Sequence, residues 1–212
     1  MALGRLLALI GISLILGACT WLPGGREVPA PRLYVLDPVP PPFERNSSAG
    51  DSRCANLVVA RPTAAPGYAT AQMLYRRTRY ELESFAYNEW AETPARMLEP
   101  LIRQALEIGG RFRAVLSPGT RADSAFMLET GSVRLLQVFE AGEPPYAELS
   151  LQARLYSRDR LIGQQRFYAR ENAAEATPEA GVAAANAATA ELLAKLAAWV
   201  ERRAAEAGEG CR

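Results

Sequence analysis

Three thiols and one amine are the only strong nucleophiles in this chain: Cys19, Cys54, Cys211 and Lys195. Histidine is absent. That removes the commonest general base, the usual zinc ligand and the group that titrates near neutral pH. A Ser-His-Asp triad cannot be built. Lys195 lies inside an Ala/Leu helical pattern, and nothing in the sequence places a serine beside it to form a Ser-Lys pair. The expectation is a protein with no catalytic residues, no metal and no cofactor.

The chemistry open to Cys19 is acylation. Arg5 precedes an apolar run from Leu6 to Leu16, closed by Leu16-Gly17-Ala18-Cys19. One cation, a short apolar run and a small-residue exit form a signal peptide, and the run is too short to span ~30 Å of hydrocarbon. Leu16-Gly17-Ala18-Cys19 resembles the bacterial lipobox, in which the cysteine sulfur takes a diacylglyceryl group and signal peptidase II cuts before it. The resemblance implies that residues 1–18 are removed and that Cys19 carries three acyl chains, palmitate among them. Burying acyl CH₂ groups is worth about 0.8 kcal/mol each, so more than one chain gives stable membrane attachment. Thr20 stands where an Asp would retain a Gram-negative lipoprotein at the inner membrane. The sorting rule therefore favours the periplasmic face of the outer membrane over the inner membrane.

Cys54 and Cys211 would occupy the oxidising periplasm, where disulfides persist. They flank almost the whole globular region. A bond between them would close a loop of well over 100 residues, worth roughly 4–5 kcal/mol in the chain-entropy picture. The alternative is two free thiols, one near the C-terminus.

Removing residues 1–18 leaves 194 of the 212 residues, enough for one sizeable core. Lys and Arg number 24 against 23 Asp and Glu, and Arg5 goes with the leader, so the mature chain is formally neutral. A neutral chain has no global field to draw in nucleic acid or an anionic lipid surface. Attachment must come from the lipid.

The elements follow in order. Residues 19–31 are rich in Pro and Gly and read as a tether, with Trp21 either at headgroup level or simply a linker aromatic. Residues 32–212 read as one domain. Arg32–Leu36 and Leu57–Ala60 read as strands. Met73–Arg76 and Tyr80–Phe85 bracket Arg77-Thr78-Arg79 as a hairpin whose arginines face solvent. Thr93-Pro94 starts a helix that stops at Gly109-Gly110, with an apolar stripe from Met97 to Ile108. Phe112–Val115 reads as a short strand. Ala125–Phe139 is a long strand, bent near Gly131. Residues 149–156 alternate with period two, and Leu161–Arg170 returns to complete a meander. Thr177-Pro178 opens a long Ala-rich helix ending near Gly208, with Val182, Ala185, Thr189, Leu192, Leu193, Leu196, Trp199 and Val200 along one face. The fold class is mixed α/β: a layered single domain, its mixed sheet carrying a C-terminal antiparallel meander and covered by two main helices.

Several stretches together resemble one family. They are Tyr34-Val35-Leu36-Asp37-Pro38, Leu57–Pro62, Met73–Arg76, Tyr80-Glu81-Leu82 and Trp90–Pro94, in this order after a lipobox. They are similar to the ABC-type transport auxiliary lipoproteins, the group that includes the lipoprotein of paraquat-inducible MCE operons. The resemblance implies a non-enzymatic periplasmic lipoprotein working with an MCE-domain protein and an ABC permease and ATPase in lipid movement between membranes. It implies docking at the outer-membrane end of that assembly, with a homo-oligomeric ring as one arrangement. A Cys54–Cys211 pair is not expected of every member. Tyr34, Tyr75, Tyr80 and Trp90 are amphipathic aromatics that serve either interfaces or the rim of a core, and the rim is the preferred reading for each. Leu36, Asp37 and Pro38 complete the first motif, and Pro94 reads as a helix-start device.

A second reading makes the chain a direct lipid carrier, with an apolar cavity between the sheet and the Val182–Val200 helix.

Overall fold

The computed structural model describes residues 29–39 and 54–208, and the chain divides into Met1–Ala30 and Pro31–Arg212. The leader, Cys19, the tether up to residue 28 and Cys211 lie outside the described residues. The fold below is that of the second unit.

Among the described residues eight strands and two helices follow one another, four strands before each helix. They are β1 (Arg32–Tyr34), β2 (Leu57–Val59), β3 (Gln72–Arg76), β4 (Glu83–Trp90), α1 (Pro94–Gly109), β5 (Val115–Leu116), β6 (Phe126–Val138), β7 (Tyr146–Ser157), β8 (Arg160–Asn172) and α2 (Pro178–Ala207). All the strands join one mixed sheet whose pivot is β6. Along one edge β6 pairs antiparallel with β7 over its full length, and β7 pairs with β8 in the same way. The other edge of β6 is shared. Its start takes β2 in parallel (Leu57↔Phe126), and its end takes β3 in parallel (Tyr75↔Gln137).

The sharing requires a break in the middle, and the sequence supplies it. The β6–β7 register shifts between Gly131 and Arg134, and Ser132 adopts φ 54°. A Cβ on Gly131 would lie 2.8 Å from Thr63 Oγ1, so only glycine lets the segment after β2 approach this closely. The bend expected near Gly131 is this bulge.

Both helices begin with a Thr-Pro pair and end at a left-handed glycine, Gly110 or Gly208. Thr177 Oγ1 accepts the Ala180 N–H at 3.3 Å, whereas Thr93 makes no side-chain cap; the Glu92 carboxylate accepts the Thr93 N–H instead. The inner side of α2 (Ala185, Ala188, Leu192, Leu196, Trp199 and Val200) buries against Leu149, Leu151, Ala153 and Leu155 of β7. Each large side chain so buried is worth about 1.5–3 kcal/mol. Leu98, Ile102 and Leu106 bring α1 into the same core.

Three expectations need correction. The strand placed at Phe112–Val115 lies at Val115–Leu116, and Phe112 makes only an isolated bridge with Cys54. The hairpin's second strand begins at Glu83, because residues 77–82 are turn, and it runs on to Trp90. The space between β7 and α2 is filled by the core side chains just named. The open cavity of about 500 Å³ between β8 and α2 is lined by Gln165, Arg166, Tyr168, Lys195 and Arg202 beside Phe167 and Trp199, a mixed lining and not the apolar one expected. No described helix is long and apolar enough to cross a membrane.

Candidate docking site

The Tyr34–Pro38 motif folds into a clamp. β1 pairs parallel with β4 (Arg32↔Asn88, Tyr34↔Trp90), and the Tyr34 carbonyl accepts the Ala91 N–H at 2.7 Å. The chain then leaves the sheet and crosses to α2. There Asn186 holds it from both sides of Leu36: the Asp37 N–H donates to Asn186 Oδ1 at 2.6 Å, and Asn186 Nδ2 donates to the Val35 carbonyl at 3.4 Å. Between these contacts Leu36 and Pro38 are buried, while Val35, Asp37 and Val39 face out.

The Tyr34 hydroxyl donates to Glu179 Oε1 at 2.9 Å, and Arg32 Nη1 reaches the same oxygen at 2.9 Å. Glu179 stands in the first turn of α2, where carboxylates are favoured by the helix dipole. Its pKa is lowered, first by its own backbone N–H, then by the Tyr34 hydroxyl and Arg32. Burial and the bond to Glu179 push the Tyr34 phenol up.

Trp90 is buried beneath the clamp, and Pro94, also buried, opens α1. Tyr34, Leu36, Asp37, Pro38, Trp90 and Pro94 therefore converge at one corner, where β1, β4 and the starts of both helices meet. Asp37 contributes its backbone N–H there.

Tyr75 and Tyr80 belong to the other end of the β3–β4 hairpin. The Tyr75 ring packs on Phe85 at 4.4 Å and Phe139 at 5.9 Å, and its hydroxyl donates to Glu83 Oε2 at 2.9 Å. Glu83 is ion-paired with Arg77, which holds its carboxyl below the usual range. Arg76 pairs with Glu140 at 2.9 Å. Of Arg76, Arg77 and Arg79, the first two are thus neutralised by carboxylates, so the hairpin's arginines are not uniformly solvated. Tyr80 is 92% exposed, so the core-rim reading of this residue is wrong: it sits in the turn, outside the sheet.

Eight large apolar or aromatic side chains are exposed among the described residues: Leu33, Val35 and Val39 lie on β1 and the segment that follows it, Tyr87 on β4, and Tyr80 and Leu82 in the β3–β4 turn, with Leu161 and Tyr168 on β8. β1 is also a terminal strand of the sheet, paired with β4 alone. An open edge flanked by exposed apolar groups is the surface most suited to a partner.

Elsewhere the chemistry is sparse. A polar cavity of about 330 Å³ opens at the β6 bulge, lined by Arg61, Thr63, Glu129, Ser132, Gln152 and Arg154. Lys195 is held by Glu191 and by the Tyr168 carbonyl. No three metal-binding side chains converge among the described residues. Cys54 is fully buried, its N–H donating to the Arg111 carbonyl at 2.8 Å. Sequence reasoning missed Glu179 and Asn186. Asn186 is a polar interruption in an alanine-rich helix, and that misfit was its signal.

The sequence profile of the ABC-type transport auxiliary lipoprotein component family matches residues 34–197, and the chain belongs to that family. It is thereby a transport-associated lipoprotein component. The fold is shared with a crystal structure of a protein from Xanthomonas campestris, with a TM-score of 0.70 at 22% identity, covering 84% of this chain and 99% of that one. A second crystal structure, of an uncharacterized protein, gives a TM-score of 0.60 at 13% identity, covering 81% and 99%. No curated protein matches the chain in sequence.

Proposed function

We propose that this chain is the lipid-anchored, non-catalytic periplasmic component of an MCE-type intermembrane lipid transport system. Acylated Cys19 holds it at the periplasmic face of the outer membrane, and the β1–β4 corner docks the MCE-domain protein that works with the ABC permease and ATPase. The observation that supports this reading is the family match over residues 34–197, joined to the exposed Leu33, Val35 and Val39 at the open β1 edge. The absence of histidine supports a role in contact and not in chemistry.

The test is co-purification from membranes with native-level expression of three forms. Wild type should bring down the MCE-domain protein and fractionate with the outer membrane. Cys19→Ser should fold, leave the membrane and lose transport. Leu33→Arg/Val35→Arg should stay on the membrane and lose the partner. Full transport by the unlipidated form, or partner capture by the arginine variant, would overturn the proposal.

A further inference from the structure

The tip of the β3–β4 hairpin carries two exposed apolar-bodied side chains with no role in the fold: Tyr80 at 92% and Leu82 at 46%. Arg79 lies over the Tyr80 ring at 5.8 Å, and Arg77 is paired with Glu83. Arg77, Arg79, Glu81 and Glu83 balance, so the tip is formally neutral. A tyrosine flanked by arginine, with a leucine two residues on, has the composition of a membrane-interface anchor: rings at headgroup level and guanidinium groups reaching water.

Topology decides which surface the tip meets. β1 runs parallel to β4, and its first residue, Arg32, pairs with Asn88. The start of β1 is therefore its end nearer the hairpin turn, and the chain arriving from the lipid enters the sheet from that end. Asn88 lies five residues past Glu83, about 17 Å at ~3.3 Å per residue. The twelve residues between Cys19 and Arg32 reach at most about 40 Å. That leaves roughly 20 Å beyond the base of the hairpin, more than a six-residue turn can project. The acylated sulfur and the tip can lie in one plane. The β6–β7 turn at the same end carries Glu140 and Glu143 and no apolar side chain apart from Phe139, Ala141 and the prolines, with Phe139 packed on Tyr75. The β6–β7 turn therefore offers no second apolar contact beside the hairpin tip.

We propose that the Arg77–Leu82 turn is a second membrane contact, seating Tyr80 and Leu82 in the interface of the bilayer that holds Cys19. The lipid fixes the protein to the membrane; the tip fixes its orientation on it. The proposal rests on the lipid-anchor reading above.

The test uses the mature acylated chain in vesicles of phosphatidylethanolamine with a minority of phosphatidylglycerol and no other protein. Flotation reads the anchor, and amide hydrogen exchange reads the tip. Thr78–Leu82 should exchange about tenfold more slowly on vesicles than in the Cys19→Ser form free in solution. The slowing should vanish in Tyr80→Ser/Leu82→Ser, which still floats, and it should persist in high salt and without phosphatidylglycerol. Floating protein whose tip exchanges at the free rate would overturn the tip contact and leave the anchor standing. Protection that arises only when the MCE-domain protein is added would overturn it in favour of protein docking. Failure to float would remove the anchor, and this proposal with it.

Discussion

The Tyr34 hydroxyl and the Glu179 carboxylate meet at 2.9 Å across 145 residues of sequence. This contact ties the first strand after the tether to the first turn of the last helix. Asn186 repeats the connection two turns further along α2, through the backbone of Val35 and Asp37. Together they make β1 a braced strand, although it is only three residues long and has one neighbour in the sheet.

Tyr34→Phe and Glu179→Gln should each loosen β1 without unfolding the domain. Both groups are at the surface, so the effect is local: exchange of the β1 amides should rise about threefold while the core amides stay put. The pair should be non-additive in a double-mutant cycle. The sign with pH follows from Glu179. Its folded pKa is depressed below 4.5, so its stabilisation is present above that value and is lost as pH falls through the folded pKa. The wild-type and Glu179→Gln β1 exchange rates should therefore converge only in acid below pH 4.5.

A second close approach sets the seat of α2. A Cβ on Gly181 would lie 2.1 Å from Gln137 Oε1 and 2.2 Å from its Cδ, and Gln137 is 1% exposed. Gly181→Ala should cost about 1–3 kcal/mol in denaturant unfolding, as overpacking does. In a Gln137→Ala background the same change should be near neutral. Both amide atoms of Gln137 are buried without a hydrogen-bond partner, so Gln137→Met should hold or raise stability by about 1 kcal/mol.

The parts of this fold that local rules determine were legible in the sequence. Thr-Pro pairs and following glycines fixed both helices to within a residue, and strict alternation from Leu149 to Tyr156 gave β7. Non-local pairing was not legible. Nothing in Leu57–Val59 or Met73–Arg76 says that β2 and β3 share one edge of β6, because parallel partners are chosen by the whole sheet. Tyr80 misled for a related reason: its β-propensity argues for a strand, but the turn between β3 and β4 claims residues 77–82. The Tyr34–Pro38 motif announced itself, while its partners Glu179 and Asn186 lie 145 and 149 residues away from the groups they hold, and only the polar break that Asn186 makes in an alanine-rich helix marked one of them.

Glu201 offers a stability test away from the clamp. Its Oε1 is buried without a hydrogen-bond partner, close to where a Cβ on Gly109 would lie, and burial raises its pKa while Arg111 partly offsets this. The folded state thus favours the protonated acid. Stability from this group is fully present below its unfolded pKa and is lost as pH rises through the folded value. Glu201→Gln should be more stable than wild type at neutral pH, by about 0.5–1 kcal/mol once solvent screening is allowed for, and the two should converge in acid. Thermal melts at neutral pH and near pH 4 would show this; equal Tm values at both would count against it.

The same corner bears on the two remaining cysteines. Glu201 lies against Gly109 and senses Arg111, and the Arg111 carbonyl takes the Cys54 N–H at 2.8 Å. The last turns of α2 therefore pass over the segment that holds Cys54. Glu201 to Ala207 advances about 9 Å along the helix axis, and Gly208 closes the helix at φ 67°, three residues before Cys211. We propose that Cys54 and Cys211 are bonded to each other. The loop so closed spans nearly the whole domain, so its loss should cost about 4–5 kcal/mol, or a Tm fall of roughly 10 °C or more. Cys211→Ser and a reducing agent should each produce this fall, and reductant should have no further effect on the variant. Two titratable thiols in the denatured, unreduced mature protein would reject the pairing, and the stability of the domain would then rest on its packed core without a cross-link.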